Sequence, residues 1–413
     1  MTALSSIVSK CLRLVQFGFE ETWAAYITRM TGVAHPQGRS WITRDGAQFC
    51  RHVDWVNDMH EAGEVNLRRC RVGSFDFSSL FTTVPLLMLI MVITYMINFV
   101  FDLKLKSFGC DEVYIKCQRY DGKKGGEAPR WHAGPLPGGA GSDQRYIYVS
   151  RENLIKWATL VARHAYVTFG GSVWLQLIGF PMGSNCSPEF ANLFLAYFEM
   201  AFIIRCFTKY GKQLPRGLWL MIVFGCRYVD DQWHLLLDGF DYDDWLYDER
   251  DKNGSDGLYP WRLRGPHGEW IEYPLKLNVE GVGSSTSFLD TLTTVDREFG
   301  RLSYDCYDKR EDMPCFKDRR TFPHIDSELN ETCKRSILLG EMFRFDRRTY
   351  TAMQFVRWTV LKATAMITNG YPRQWIVRQL RQFRGLSPGK GNWDLLQKQI
   401  LGEVDEATSV ILK

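Results

Sequence analysis

The chain lacks both the cysteine pattern of a metal finger and the cysteine density of a disulfide scaffold. Its 11 cysteines in 413 residues are scattered singly from Cys11 to Cys333, and no pair has zinc-finger spacing. At this length the pattern indicates reduced, mostly structural thiols in an intracellular protein. The N-terminus lacks the charged and apolar layout of a signal peptide, and the sequence has no internal repeat.

Excess charge of one sign is small in the whole chain but large in one segment. The formal net charge is only +4, which by itself says little about partners. Residues 334–390, however, hold 12 Lys or Arg against 2 acids, a net charge of +10, so the remainder carries −6. We expect this basic C-terminal segment to contact a phosphate backbone.

No apolar run reaches the length of about 20 residues that a membrane span requires. The longest, residues 85–101, is nearly all apolar but is interrupted by Thr94, Tyr95 and Asn98. We interpret it as a buried helix and expect no membrane contact. A membrane span is the less favoured alternative.

Two adjacent carboxylates occupy a polar tetrapeptide, Tyr228-Val229-Asp230-Asp231, between the apolar residues 218–224 and 233–237. Strand-forming runs on both sides of a short polar turn predict a β-hairpin with the carboxylates at its tip. Neighbouring Asp side chains repel each other unless a cation lies between them. By itself the pattern fits an ordinary surface turn equally well.

A third carboxylate, Asp76, lies near the end of a predicted strand at residues 70–77. Two-metal nucleotidyl transfer needs acidic oxygens from separate strands, so that two ions lie about 4 Å apart over a phosphate. Asp76, Asp230 and Asp231 are therefore candidate ligands for two Mg²⁺ ions, with Mn²⁺ as an alternative.

Residues 176–193 form the most specific stretch between these carboxylates. Gly179 and Gly183 let the backbone approach a ligand closely, Ser187 suits a helix N-cap, and Pro188 suits the first helical position. A helix is expected from about residue 188 to about residue 206. The alternative is a Gly/Pro loop that only leads into a buried helix.

A second helical pattern begins near residue 350. Residues 350–367 carry apolar side chains at helical spacing and predict one buried face, formed by Met353, Val356, Val360, Leu361 and Thr364. Asn369-Gly370 supplies a C-cap, and Pro372 can open a further helix at residues 373–383.

The Asp76 strand, the Gly-Phe-Pro-Met-Gly loop at 179–183 with Ser187-Pro188, and the Tyr-Val-Asp-Asp hairpin resemble, in this order, the palm motifs of reverse transcriptases. Residues 287–290, 306–312, 322–327 and 370–372 resemble the branch that includes Penelope-like and related eukaryotic retroelements. The resemblance extends to about residue 383. It implies an α+β fold: a right-hand polymerase with an antiparallel palm sheet, incomplete fingers and a helical thumb.

The resemblance also implies roles for individual residues. The catalytic metal ligands would be Asp76, Asp230 and Asp231. The nucleotide pocket would be lined by Phe77, Phe81, Gln176, Gly179, Pro181, Met182 and Gly183, with the ring of Phe81 excluding a 2′-hydroxyl. Lys276 would be a general acid toward pyrophosphate, Phe288 and Leu289 the primer grip, and Arg373, Arg378, Arg381 and Arg384 contacts to the nucleic-acid backbone.

Each of these roles has a structural alternative. Phe81, Phe288 and Leu289 can be core residues, and Lys276 can be a plain surface lysine. The four arginines can form an ordinary solvated basic face.

The predicted domain organisation follows the same resemblance. The predicted parts are 1–69, a helical fingers remnant; 70–118, the first part of the palm; 119–150, a flexible fingers-side insertion; 151–310, the palm, with a loop insertion at 238–272; and 311–413, a helical basic thumb. The first fingers motifs, whose Lys and Arg clasp the triphosphate, are not visible, and Arg39 and Arg44 do not fit them. We expect either a fragment or a partner chain that supplies the missing strands.

The expected function is that of an RNA-directed DNA polymerase acting on an RNA template, a DNA primer and deoxynucleoside triphosphates. The alternative is a catalytically silent relative that only binds nucleic acid. The three carboxylates favour chemistry, whereas losing triphosphate contacts removes electrostatic stabilisation and favours silence.

Overall fold

The computed structural model of the chain describes residues 2–35, 41–77, 80–119, 127–136, 145–180, 184–242, 257–259, 262–264, 270–272, 277–312, 323–383, 385–386 and 389–411. Backbone contacts divide the chain into two compact units. Unit 1 contains Met1–Ile42 and Phe75–Glu280, and unit 2 contains Thr43–Ser74 and Gly281–Lys413. Each unit has its own apolar core.

The described helices are α1 (Thr2–Thr31), α2 (Gly46–Glu61), α3 (Leu80–Thr83), α4 (Leu86–Phe108), α5 (Arg151–Arg163), α6 (Ser187–Tyr210), α7 (Arg216–Phe224), α8 (Glu331–Lys334), α9 (Ile337–Arg348), α10 (Ala352–Thr368), α11 (Arg373–Gln382) and α12 (Trp393–Ile411).

The described strands are β1 (Cys70–Phe77), β2 (Val113–Gln118), β3 (Arg130–Ala133), β4 (Tyr146–Val149), β5 (Tyr166–Phe169), β6 (Ser172–Leu175), β7 (Cys226–Tyr228), β8 (Asp231–Leu237), β9 (Arg262–Arg264), β10 (Trp270–Glu272), β11 (Leu277–Gly283), β12 (Ser285–Phe288), β13 (Thr291–Asp296) and β14 (Arg301–Cys306). The largest sheet has the order β11-β1-β8-β7. The mixed helix and sheet content agrees with the expected α+β class.

Unit 1 is built around α6, which buries residues on nearly all of its sides. Such a helix is stable only when other elements surround it, and α1 and α4 pack against it. Phe180, ahead of α6, meets Phe194 edge to face with ring centroids 5.8 Å apart. The loop that enters the helix is therefore anchored in the same core. The N-cap is Cys186 rather than the expected Ser187, which is the first residue of the helix.

Two helices of unit 1 are long and apolar enough to cross a membrane by length and composition alone. In the most apolar windows of α4 and α6, 44% and 72% of the residues are buried inside the protein. α4 packs against α1, α5 and α6, as expected for the buried helix predicted at residues 85–101.

The apolar residues that precede the Val229-Asp230 turn are helical, so the predicted strand at 218–224 is wrong. These residues form most of α7, and all of them are buried. The strand on this side of the turn is limited to β7. A short apolar run cannot distinguish a buried helix from a buried strand by periodicity, which explains the error.

The regions expected to be insertions contain regular structure where they are described. β3 and β4 lie within 119–150 and pair antiparallel with β2, and Trp131 meets Phe101 edge to face at 5.1 Å. β9 and β10 pair within 238–272, and Tyr259 there is buried. These described parts contribute sheet edges and a core side chain.

β5 and β6 form an exposed apolar hairpin. Phe169, Val173 and Trp174 expose 79%, 68% and 60% of their surface. Residues 166–178 contain no Lys, Arg, Asp or Glu. Within the described chain no other strand pairs with this hairpin, so both of its edges are open.

Unit 2 joins a three-stranded antiparallel meander, β12-β13-β14, to a helical core. The side chain of Asn57 on α2 donates to the Leu302 carbonyl at 2.9 Å and accepts from the Leu302 amide at 2.8 Å. The side-chain amide of Asn57 therefore satisfies the backbone donor and acceptor of Leu302 in β14, as a neighbouring strand would.

The helix predicted at 350–367 is confirmed as α10, and Val356 and Thr364 of its predicted buried face are buried, but other members of that face are not. Phe355, Trp358 and Met366 are buried, whereas Met353 and Leu361 are 63% and 50% exposed. The aromatic residues take the core positions because they pack with Phe345 and Phe383 from neighbouring segments.

Candidate functional site

The predicted carboxylate hairpin forms, with Val229 and Asp230 as its two-residue turn. β7 and β8 pair antiparallel, and Tyr228 lies opposite Asp231. Val229 has a φ of 55°, a left-handed backbone conformation that a β-branched side chain rarely adopts. Such a conformation costs about 1 to 3 kcal/mol and persists only where surrounding contacts impose it.

Two of the predicted carboxylates repel each other. Asp76 lies near the end of β1, which neighbours β8 in the sheet. Burial raises the pKa of Asp230, and the negative charge of Asp76 raises it further. Asp231, the first residue of β8, is half-buried. Sequence-distant carboxylates are thus close enough to interact electrostatically.

Asp76 and Asp230 could supply some of the ligands of a divalent cation, but not a complete set. Two partly desolvated carboxylates lower their mutual repulsion when a cation lies between them. The described residues include no group of three or more His, Cys, Asp or Glu side chains arranged to hold a metal ion. Mg²⁺ is commonly bound by only one or two carboxylates, with substrate phosphates and water as the remaining ligands.

A fully buried arginine holds the strained turn. Arg227 forms an ion pair with Glu199 of α6 through its Nε and, at 3.3 Å, its Nη2. Its Nη1 donates to the Val229 carbonyl at 2.9 Å and to Asn192 Oδ1 at 3.0 Å. The carbonyl of the left-handed residue is therefore tied to α6 through one guanidinium group.

The ion pair belongs to a larger buried polar network. The Tyr259 hydroxyl donates to Glu199 Oε1 at 3.0 Å and accepts from Gln232 Nε2 at 2.5 Å. His234 contacts Gln232 at 3.0 Å, and burial lowers the pKa of His234 to about 3. Buried hydrogen bonds thus link Gln232 of β8, which follows Asp231, to the ion pair of Arg227 and Glu199.

The predicted nucleotide loop lies against the segment that carries Phe81. Gly179 donates to the Val84 carbonyl at 2.8 Å and Phe180 to the Phe81 carbonyl at 3.0 Å. The rings of Phe81 and Phe180 meet edge to face at 5.5 Å. Gln176 Nε2 donates to the carbonyls of Ile178 and Phe180 at 2.9 and 2.6 Å, so this side chain shapes the loop.

Gly179 is required at this contact. Its φ is +88°, and a Cβ atom there would overlap the carbonyl oxygen of Phe81. Residues Pro181, Met182 and Gly183 of the predicted pocket lie outside the described residues, as does the predicted general acid Lys276.

The side chain of Phe77 does not fit its predicted role in lining the nucleotide pocket. It is only 3% exposed and meets Tyr259 edge to face at 4.8 Å. Its ring is therefore a core residue of unit 1, and only its backbone is left to contact a nucleotide.

In unit 2, the predicted primer grip forms the tip of the β12–β13 hairpin. Phe288 is buried and meets Phe49 edge to face at 4.7 Å, which agrees with its core alternative. Leu289 and Asp290 form the turn, with φ values of 51° and 55°. Arg348 donates to the Leu289 carbonyl at 3.1 Å.

The four arginines predicted to contact nucleic acid differ in their surroundings. Arg373 forms two hydrogen bonds of 2.6 Å with the carboxylate of Asp405 on α12, so it is not an unpaired cation. Arg378 and Arg381 are exposed and three positions apart on α11, which places them on one face. Arg384 lies outside the described residues.

Sequence reasoning missed the buried supports of the turn. Glu199 is the one charged residue between Glu189 and Arg205 in the apolar helix α6. A lone acid in such a helix indicates a buried cationic partner, because an unpaired buried charge is too costly. Arg227, next to an apolar run, is one candidate for that partner, but the sequence does not single it out.

The sequence matches no family model and none of the curated proteins compared with it. Telomerase from Candida albicans, solved with a TWJ fragment of telomeric RNA, is similar in structure at a TM-score of 0.50 and 11% identity over 98% of this chain and 53% of that chain. The fold is similar to that of a reverse-transcriptase-related polymerase.

Two Candida tropicalis telomerase structures show weaker likeness. The apo form has a TM-score of 0.45 at 11% identity, covering 98% of this chain and 53% of that one. The form with the TWJ fragment of telomeric RNA has a TM-score of 0.42 at 12% identity, covering 98% and 47%. The chain spans about half the length of these telomerases.

Replacing Gly179 by Ala is expected to destabilise unit 1 by about 2 to 4 kcal/mol, because backbone strain and a clash with Phe81 add together. Gly171 is a matched control: its φ is +77°, but no atom lies within 4 Å of the added Cβ. Gly171→Ala should cost only about 1 kcal/mol. Urea unfolding measures both. Equal losses of unfolding free energy for the two variants would contradict the close approach of Gly179 to the Phe81 backbone.

Glu199→Ala is expected to destabilise the protein by about 3 to 5 kcal/mol, because it leaves the Arg227 charge buried and unpaired. The double variant Arg227→Met/Glu199→Leu should regain most of this stability, because neither charge is then buried. Arg335→Ala, which removes an exposed ion pair with Glu331, should cost less than about 1 kcal/mol. Chemical denaturation that finds Glu199→Ala no more harmful than Arg335→Ala would refute the assignment.

Asp230→Asn is expected to stabilise the metal-free protein by about 1 kcal/mol at pH 7. The pKa of Asp230 is raised on folding, so the folded state loses stability as the pH rises above the unfolded value and through the folded one. The gain should shrink as the pH falls and vanish below about pH 3, where the carboxyl is protonated in both states. Urea unfolding in EDTA measures it, with the exposed Asp111→Asn as control. A gain that is independent of pH would argue against this origin.

Proposed function

We propose that the chain is an RNA-directed DNA polymerase of a retroelement, of the Penelope-like or a related branch, which transfers a nucleotide to a primer 3′-hydroxyl. The observation that carries the proposal is the interaction of Asp76 with Asp230, two carboxylates more than 150 residues apart in sequence, at a strained hairpin tip. Two divalent ions, when bound, would lower the pKa of the primer hydroxyl and neutralise charge on the leaving pyrophosphate.

The chain's own residues would position the reactants. Asp76, Asp230 and Asp231 would hold Mg²⁺ or Mn²⁺ through carboxylate oxygens. Arg227 donates to the carbonyl of Val229 and so keeps that residue in its left-handed conformation. The backbone that carries the Asp230 carboxylate is therefore held in one geometry. Holding reactive groups in a fixed geometry can supply several kcal/mol of the rate enhancement.

The loop around Gly179 would form one wall of the nucleotide pocket. Its hydrogen bonds to the Phe81 segment fix the position of the Phe81 ring relative to the loop. A bulky apolar ring there gives a 2′-hydroxyl neither room nor a partner, which selects deoxynucleotides.

In unit 2, Leu289 with the backbone of its turn would contact the primer, and Arg378 and Arg381 would contact the backbone phosphates. The Candida albicans telomerase was solved with a fragment of telomeric RNA, which supports RNA as a binding partner here. We also propose an intracellular location and a partner chain that supplies the missing fingers strands.

A catalytically silent nucleic-acid-binding protein is the second candidate. The described residues form no three-ligand metal group, and the Lys and Arg of the first fingers motifs are not visible in the sequence. Without these groups the chain would stabilise a triphosphate poorly. Binding to a duplex does not depend on them, because it rests on contacts between basic side chains and the phosphate backbone.

Primer extension on an RNA template with deoxynucleotides and Mg²⁺ tests the proposal. The wild-type chain should extend the DNA primer, and Asp230→Asn should reduce the rate by at least about 100-fold, because a metal ligand is lost. Asp111→Asn, an exposed aspartate, should retain the wild-type rate.

Equal extension by wild type and Asp230→Asn would refute the assigned carboxylates. Salt-sensitive binding to a primer-template duplex, without incorporation by any variant, would select the silent binding protein instead.

A further inference from the structure

Unit 2 contains a polar pocket of about 480 Å³ that shares no residue with the proposed polymerase site. Its walls come from α2, β14, the end of α9, Tyr350 and the residues that precede α12. A volume of this size is in the range of small-molecule sites.

The floor of the pocket holds a buried cation. Lys390 is 6% exposed and donates to both the carbonyl and the carboxylate of Asp346, the latter at 3.4 Å. Burial lowers the pKa of Lys390 because its charge is desolvated, and the carboxylate of Asp346 opposes this effect. An anion in the pocket would restore favourable electrostatics around this ammonium group.

The rim carries three exposed guanidinium groups, those of Arg51, Arg301 and Arg347. Arg301 is held over the ring of Tyr350 at 4.8 Å from its centroid, so its orientation is restricted. Arginines presented in this way bind phosphate oxygens through paired, charge-assisted hydrogen bonds.

The acidic groups of the pocket are already engaged. Asp54 accepts from the Tyr304 hydroxyl at 3.2 Å, and Asp346 pairs with Lys390. Four basic and two acidic side chains line the pocket, so its net charge is positive. Asp58 lies close enough to Asp54 to raise the pKa of Asp54, in addition to the larger effect of burial, but it does not line the pocket. A divalent cation would be repelled there, whereas a phosphate would be attracted.

We propose that this pocket binds the phosphate group of a nucleotide, either free or at the end of a strand. The three rim arginines would contact the phosphate oxygens, Lys390 would balance the charge from below, and the space beside Tyr350 would take the nucleoside. This binding requires neither the carboxylates of unit 1 nor a metal ion.

Isothermal titration of the full chain in EDTA tests the proposal with three probes: inorganic phosphate, 5′-AMP and adenosine. We expect binding of phosphate and 5′-AMP, and at least about tenfold weaker binding of adenosine, because the charged hydrogen bonds are lost. A short RNA with and without a 5′-phosphate then distinguishes a strand end from a free nucleotide. Either source supports the pocket.

The double variant Arg51→Gln/Arg301→Gln should weaken 5′-AMP binding at least about tenfold while keeping the wild-type unfolding midpoint, because both side chains are exposed. Arg69→Gln, an exposed arginine of unit 2 outside the pocket, should bind as wild type does. Asp230→Asn should also bind normally, so failure of the polymerase proposal would leave this result unchanged. No binding of 5′-AMP, or equal binding by wild type and the double variant, would overturn the proposal.

Discussion

The ion pair between Arg227 and Glu199 is the interaction on which the carboxylate turn depends. Both side chains are buried, so each charge is tolerable only because the other is present. The pair joins the end of β7 to the middle of α6, and Asn192 on the same helix shares the guanidinium. An apolar pair could fill the same volume, but it could not hold a backbone carbonyl. The charged pair therefore fixes the geometry of the turn in a way that an apolar pair would not.

The same solution occurs independently in the other unit. Within the described chain, non-glycine residues with left-handed backbone occur only at Val229, Leu289 and Asp290. In both turns an arginine donates to the carbonyl of the first strained residue, Arg227 in one and Arg348 in the other. Gly46 lets the Arg348 guanidinium pass close to the start of α2, because any Cβ there would collide with it. Strain that is maintained in this way is typical of functional turns.

The sequence was informative where a local pattern determines the outcome. The hairpin around Asp230 and the helix at 352–368 follow from turn chemistry and periodicity. It was misleading where tertiary packing decides between two outcomes: residues 218–224 became a helix, and Met353 was displaced from the core by aromatic neighbours. Long-range partners such as Glu199 and Arg227 could not be paired, because nothing local specifies which buried charges meet.

The exposed hairpin of β5 and β6 presents open, apolar strand edges to solvent. Its residues carry no gatekeeping charge and no proline, and most of its large side chains are apolar. Natural sheets normally protect open edges with such residues, because an unprotected edge recruits further strands. Such an edge favours association between copies of the isolated polypeptide, and a lysine in place of Val173 would oppose that association.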